Sequence, residues 1–340
     1  MPLSQFESGA AGKGAIRLEF APWQLVLLLL LIVYPFGAND FFIVQIGAQS
    51  LLLGTVALSL MLLAGYGGIV SLSQMTVAGI AGYMVAILGV DSYNLGLGWP
   101  WWVVVPGAIL IATLAATLIG MISVRTEGIY TIMITLAIGV AFYYFCNQNY
   151  AIFNGFTGFA GLKPPPLFGI DWRSPMPFYY LSMVVAVVAY AVVSYFERTT
   201  FGLSLQAIRD NSRRMEALGY NVTVHRVAAH AFAGLIAAIG GVMLVWYNGR
   251  ISPGTINVGN LINILIIAVI GGIRKPIGAY LGAIVFVLIG NFAIDLIDRE
   301  RFNMLIGFCF LIIVLFSPDG LLGLWEKFKS MSRREPKDEW

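Results

Sequence analysis

The chain has 340 residues, of which 59% are hydrophobic and 11% charged, with a mean hydropathy of +0.84. A soluble domain carries roughly 25% charged residues, so the composition excludes an ordinary soluble domain and points to an integral membrane protein. The net charge of +3 says little until it is divided between the two sides of the membrane.

Hydrocarbon offers the backbone no hydrogen-bond partners, so spanning segments are helices or a closed barrel. The apolar runs here are continuous and lack the alternation of barrel strands. They predict an all-α membrane protein, a polytopic helical bundle of about ten spans. In chain order, a polar segment at 1–21 without an evident cleavage site precedes runs at 22–36, 41–64, 69–88, 101–124, 128–145, 178–196, 227–246, 258–272, 277–294 and 304–316. The transmembrane domain is thus 22–316, interrupted by a charged loop at 197–226 and followed by a polar tail at 317–340. Some runs fall short of the ~20 residues of a straight span. Those around Ile69 and between Val258 and Ile294 are expected to be broken or re-entrant. With ten spans and the N-terminus inside, fifteen of the twenty Lys and Arg residues fall on inner segments. Lys163, Arg173, Arg250, Arg299 and Arg301 fall outside. That bias predicts an N-in, C-in topology with the charged loop in the cytoplasm. The longest outer segment, 147–177, is rich in Gly and Pro and is expected to be an ordered loop.

The loop carries Arg198, Arg209, Arg213, Arg214 and Arg226 against Glu197, Asp210 and Glu216. Leu203, Ala207, Ile208, Met215 and Leu218 recur at roughly helical spacing, and Gly219 follows them. This predicts one amphipathic helix over 204–218 with Gly219 as its C-cap. Such an element either fixes topology or docks on a cytoplasmic partner.

Few other residues offer chemistry. Almost no acidic residue lies deep in an apolar run, although ion-driven transporters usually keep an ionisable group there. His230, one turn into its run, is expected to be a satisfied histidine near the interface. Cys146 and Cys309 sit in or beside apolar runs and imply no disulfide framework. The chain has no G-x-x-x-x-G-K-[ST] phosphate loop, so any energy for uphill transport is expected to enter through a partner. Glycine is abundant, 38 residues. Gly65, Gly67, Gly68, Gly79 and Gly82 surround a polar break that contains Ser71, Ser73 and Gln74. Small residues let helices pack closely, and a broken helix also turns backbone groups towards a cavity. Ser71, Ser73 and Gln74 are therefore candidates for lining a solute pathway; the alternative is that they bond a neighbouring helix.

Four stretches in register carry a family resemblance. Residues 202–222, from Gly202 through AIRDNSRRMEALGYNV, resemble the cytoplasmic loop of inner-membrane permeases from ATP-binding-cassette (ABC) importers for branched-chain amino acids. Residues 63–83, LAGYGGIVSLSQMTVAGIAGY, are similar to the Gly-rich early span of that family. Residues 125–136 with 154–161 resemble its R-x-x-G-I-Y segment and the Gly-rich outer loop after it. Residues 270–282, IGGIRKPIGAYLG, with 316–324, FSPDGLLGL, resemble its C-terminal signature. The likeness runs from about Phe41 to Leu324. Two places depart from it: Ser73-Gln74 stands where many relatives have Gly-His, and Arg274-Lys275 where small residues are usual.

The resemblance implies a permease subunit in a bacterial or archaeal inner membrane, itself not an enzyme and without a cofactor. ATP and Mg would be held by the partner ATPase. The implied partners are a homologous second permease, two cytoplasmic ATP-binding-cassette subunits, a periplasmic solute-binding protein and the lipid bilayer, with no nucleic acid. It makes Leu205, Ile208, Arg209, Arg213, Arg214, Glu216, Ala217, Leu218 and Gly219 the ATPase-coupling loop. There the apolar face of the helix would fill a groove on the ATPase, and Glu216 would orient the loop by local hydrogen bonding. Urea and amide importers use close relatives, so a urea or short-chain amide permease is the alternative solute reading. An ATP-independent secondary transporter or channel is the rival class.

Overall fold

The computed structural model describes residues 22–89, 96–166, 169, 171–296, 307–308, 311 and 320–323. The N-terminal segment 1–21, most of the tenth predicted run and most of the tail lie outside the described residues. The helices, in chain order, are α1 (Pro22–Gly37), α2 (Gln49–Met61), α3 (Gln74–Leu88), α4 (Trp101–Ser123), α5 (Ile129–Gln148) and the single turn α6 (Tyr150–Phe153). They continue with α7 (Pro175–Phe196), α8 (Thr200–Asp210), α9 (Ser212–Ala217), α10 (Val222–Asn248), α11 (Val258–Gly271) and α12 (Pro276–Leu296). Wider π-helical turns, Phe42–Ala48 and Leu62–Tyr66, extend α2 in both directions into one continuous span, Phe42–Tyr66.

Nine of the ten predicted runs coincide with these helices. Among the described residues, however, only five helices are long and apolar enough to cross a membrane alone, or six if α11 and α12 count as one. That pair is bent by 116° at Gly272–Lys275, within the stretch expected to be broken. The bend depends on glycine. A Cβ at Gly271 would collide with the carbonyl oxygen of Gly278, so the two helices touch backbone to backbone. The helix expected from 69 begins only at Gln74. Gly68 turns the chain at φ +65°, Ile69 N–H reaches back to the Leu63 carbonyl at 3.0 Å, and Ser71 bonds Ser73, so residues 69–73 lie outside the helix.

The span Phe42–Tyr66 is the centre of the bundle, with α3, α7, α10, α11 and α12 packed around it. Tyr280 of α12 crosses it at Gly54, shares a 3.4 Å contact with the Thr55 hydroxyl and donates to the Ala186 carbonyl of α7 at 2.8 Å. Against α10, α3 is held so closely that a side chain at Gly241 would meet the Ala78 carbonyl. Small residues thus do the work that bulk hydrophobicity cannot do in lipid, where apolar side chains gain nothing by leaving the solvent. At one end of the bundle, strands β1 (Phe159–Ala160) and β2 (Arg250–Ile251) pair antiparallel and pin the 154–162 loop beneath the end of α10. The predicted ordered outer loop is therefore fastened by a two-residue ladder.

Candidate functional site

The charged loop is built differently from expectation. The single helix predicted over 204–218 is two helices, α8 and α9, broken at Asn211, whose backbone is extended at φ −158°, ψ 94°. The Asn211 carboxamide accepts from Arg214 N–H at 2.9 Å and so caps the new helix. Thr199 caps α8 and Asn221 caps α10 in the same way, at 3.2 and 3.1 Å. Gly219, at φ +88°, closes α9 as Gly at such a position should.

The apolar face of the loop points inward. Leu205 is fully buried in the main core, and Ile208 packs with Met215 and Val222 beneath the two short helices. The surface left free is Leu203, Arg213, Arg214, Glu216, Ala217, Leu218 and Gly219, with Leu218 67% exposed. Leu205 and Ile208 are therefore placed against this chain's own bundle, where the sequence reading had put them on a docking face. Glu216 is exposed, and its carboxylate makes no hydrogen bond to any described residue, contrary to the local role expected of it.

Among the described residues two hydrogen bonds fasten the loop to the central span. The Arg209 guanidinium donates to the Gly65 carbonyl, and the Tyr66 hydroxyl donates to the Glu197 carboxylate. Arg209 is itself held by Asp210, through Nε at 2.9 Å and Nη2 at 2.8 Å, and Gln206 Nε2 donates to the Glu197 carbonyl at 3.1 Å. Gly65 lies in the last turn of the span, Leu62–Tyr66, where helix carbonyls lack intrahelical partners, so its carbonyl can take the Arg209 bond. Beside this junction, Arg226 of α10 faces Glu127 at 3.4 Å.

Ser71, Ser73 and Gln74 are each no more than 1% exposed. Ser71 and Ser73 share a hydroxyl bond of 2.9 Å, and Ser59 of the central span donates to Gln74 Oε1 at 3.1 Å. Leu72 N–H donates to the Thr135 hydroxyl, six residues or about 9 Å along α5 from its first residue, Ile129. The hydroxyls of Ser71 and Ser73 and the Gln74 amide thus bond within the bundle, next to Gly68, Ile69 and Val70, which line a second cavity with Arg209 and Arg226. His230 is satisfied, as expected, between the Ser123 hydroxyl at 3.3 Å and the Arg226 carbonyl at 3.0 Å.

Sequence reasoning missed the opposite end. A cavity of about 440 Å³ opens there between the central span, the end of α10 and the start of α11. Its lining joins polar side chains, Gln49, Asn248, Arg250, Ser252, Asn260 and Asn263, to apolar ones, Leu53, Met75, Leu244, Ile264, Ile267 and Phe286. Asn257, Asn260 and Asn263 recur every third residue along α11, a polar stripe within an apolar run that was visible in the sequence. Gln49 lies about 25 Å along the central span from Tyr66, by the helical rise. One rigid element therefore reaches both the cavity and the charged loop.

Long apolar helices, a bundle knit by small residues and a charged loop bound to its central span define a multi-pass membrane protein. The chain belongs to the family described as branched-chain amino acid transport system / permease component, which matches residues 42–315. It is accordingly a transmembrane ABC importer permease of that family, and the members of the family work with ATPase and binding-protein partners. The chain is similar to the high-affinity branched-chain amino acid transport system permease protein LivM of Salmonella typhimurium, 22% identical over 338 residues covering 93% of this chain and 78% of that one. LivM of Escherichia coli is 23% identical over 321 residues, 88% of this chain and 74% of its own. The ribose import permease protein RbsC of Haemophilus influenzae is 24% identical over 261 residues, 73% and 78% of the two chains. No solved structure matches the chain.

Proposed function

We propose that this permease carries branched-chain or related hydrophobic amino acids across a bacterial or archaeal inner membrane. The observation that carries this reading is the cavity whose lining joins a guanidinium and amides to aliphatic side chains. An amino acid with a branched side chain has the same two-sided chemistry. Ribose, the solute in the name of another relative, would leave those aliphatic side chains without apolar contact. A urea or short-chain amide would satisfy the polar lining and leave the aliphatic side chains unused in the same way.

In this reading the chain pairs with a homologous second permease, so that the cavity faces a shared pathway. It is not itself an enzyme: two cytoplasmic subunits bind ATP and Mg and hydrolyse the nucleotide, and a periplasmic protein delivers the solute. The Lys and Arg bias puts the charged loop on the cytoplasmic side and the cavity outside. The exposed Leu203, Leu218 and α9 arginines meet the ATPase, and the arginines steer the encounter. Closure of the ATPase pair shifts α8 and α9. Arg209 and Tyr66 pass the shift to the central span, which forms one wall of the cavity through Gln49 and Leu53.

Affinity purification of the tagged chain from its native membrane tests the assembly, and uptake of radiolabelled leucine by the purified assembly in vesicles tests the solute. A stoichiometric second permease, two ATPase chains and ATP-dependent leucine uptake are expected. A chain that purifies alone and transports without ATP would return the account to a secondary transporter. Uptake of urea or a short amide in place of leucine would replace the solute.

A further inference from the structure

Among the described residues Arg250 is the one charged side chain lining the cavity of about 440 Å³, and no acidic residue lines it with Arg250. Among the described residues Arg250 has neither an ion pair nor a side-chain hydrogen bond. Its position is fixed even so. Arg250 and Ile251 form β2, and adjacent strand residues face opposite ways. Ile251 is 1% exposed in the core beside Tyr83 and Phe159, and its partner in the ladder is Phe159. Arg250 is thereby turned to the other face, exposed, at the cavity. Gly249, at φ +65°, makes the turn that delivers it there from α10.

The surroundings complete a pattern. Gln49 and Asn263 make no side-chain hydrogen bond to any described residue, so their amide oxygens are free to accept. A guanidinium prefers a planar carboxylate, which it binds through two parallel hydrogen bonds. An ammonium group needs acceptors, which the two amides offer. An aliphatic group needs apolar contact, which Leu53, Leu244, Ile264 and Ile267 of the lining supply. The volume of about 440 Å³ lies within the usual range of small-ligand sites.

We propose that Arg250 binds the carboxylate of the solute, so that the permease itself selects carboxylate-bearing hydrophobic solutes over their amides. This rests on the reading of the cavity as the solute pathway. Selection would then occur twice, once at the delivering protein and again at a residue of the membrane subunit.

The test is a protection experiment on the assembled transporter without its binding protein. Cys146 and Cys309 are replaced by Ala, Ser252 of the lining becomes the only cysteine through Ser252→Cys, and its labelling by a neutral thiol reagent is timed. Leucine and 4-methylpentanoate are expected to slow labelling at least threefold, and leucinamide at the same concentration to leave it unchanged. Adding Arg250→Gln should abolish the protection, and Arg250→Lys should keep part of it. Equal protection by leucinamide, or full protection in Arg250→Gln, would overturn the assignment, as would a lack of protection by any of the three. Leucine uptake by the unmodified transporter is measured alongside. Uptake with failed protection sinks the role of Arg250 alone, whereas no leucine uptake at all sinks the solute reading beneath it.

Discussion

Two spans of equal apolar character, Phe42–Tyr66 and Ile129–Gln148, occupy opposite environments. The most apolar window of the first is 83% buried inside the protein, and that of the second is 22% buried. Hydropathy alone cannot separate them, but side-chain size does. The first carries Gly47, Ser50, Gly54, Thr55, Ser59 and Gly65, and other helices press onto these positions. The second turns Tyr130, Met133, Tyr144 and Phe145 outward, each more than half exposed. Apolarity decides what enters the bilayer, and small residues decide what becomes its protein core.

The comparison breaks most visibly at Gly65. A side chain there would collide with the carbonyl oxygen of Ile273 at the α11–α12 bend. Gly65→Leu should cost about 3 kcal/mol, read as a loss of monodisperse purified protein or a collapse of its melting temperature. Tyr66→Phe is the next largest change. It leaves the partly buried Glu197 carboxylate without its donor from the span, at about 1–2 kcal/mol, and thermal melts of the purified bundle would register it. Asn211→Ala removes the cap that divides α8 from α9 and should lower stability by about 1 kcal/mol; faster amide exchange over 212–217 than elsewhere in the loop would localise the loss. The smallest effect is expected on the other span. Met133→Ala, at an outward-facing position that is 59% exposed, should shift the stability of the single chain by less than about 0.5 kcal/mol. A large loss there, or none at Gly65, would reverse the assignment of centre and periphery.

The sequence made some of this legible and hid the rest. The positions of nine helices followed from apolar runs, because lipid forces local backbone pairing. The bend after α11 followed from the shortness of the runs 258–272 and 277–294, and the structure shows the close approach of Gly271 and Gly278 that it depends on. The break at Asn211 was hidden, because a helical period continues across it from Ile208 to Met215 while the carboxamide starts a second helix. The inward turn of Leu205 and Ile208 was hidden too, since an amphipathic period does not say which partner takes the apolar face. Arg250 counted only as an outer charge. Its significance comes from a two-residue ladder with Phe159 and Ala160, about ninety residues earlier, which no local pattern announces.

The central claim is that the span Phe42–Tyr66 carries motion from the charged loop to the outer cavity. Arg209→Ala removes one of its two fastenings and leaves the exposed face of α9 intact. Leucine uptake and ATP hydrolysis should be measured together on the assembled transporter in vesicles. The account predicts that Arg209→Ala still hydrolyses ATP while leucine carried per ATP falls at least tenfold. An unchanged ratio would mean that the loop drives the bundle by another route and would contradict the account.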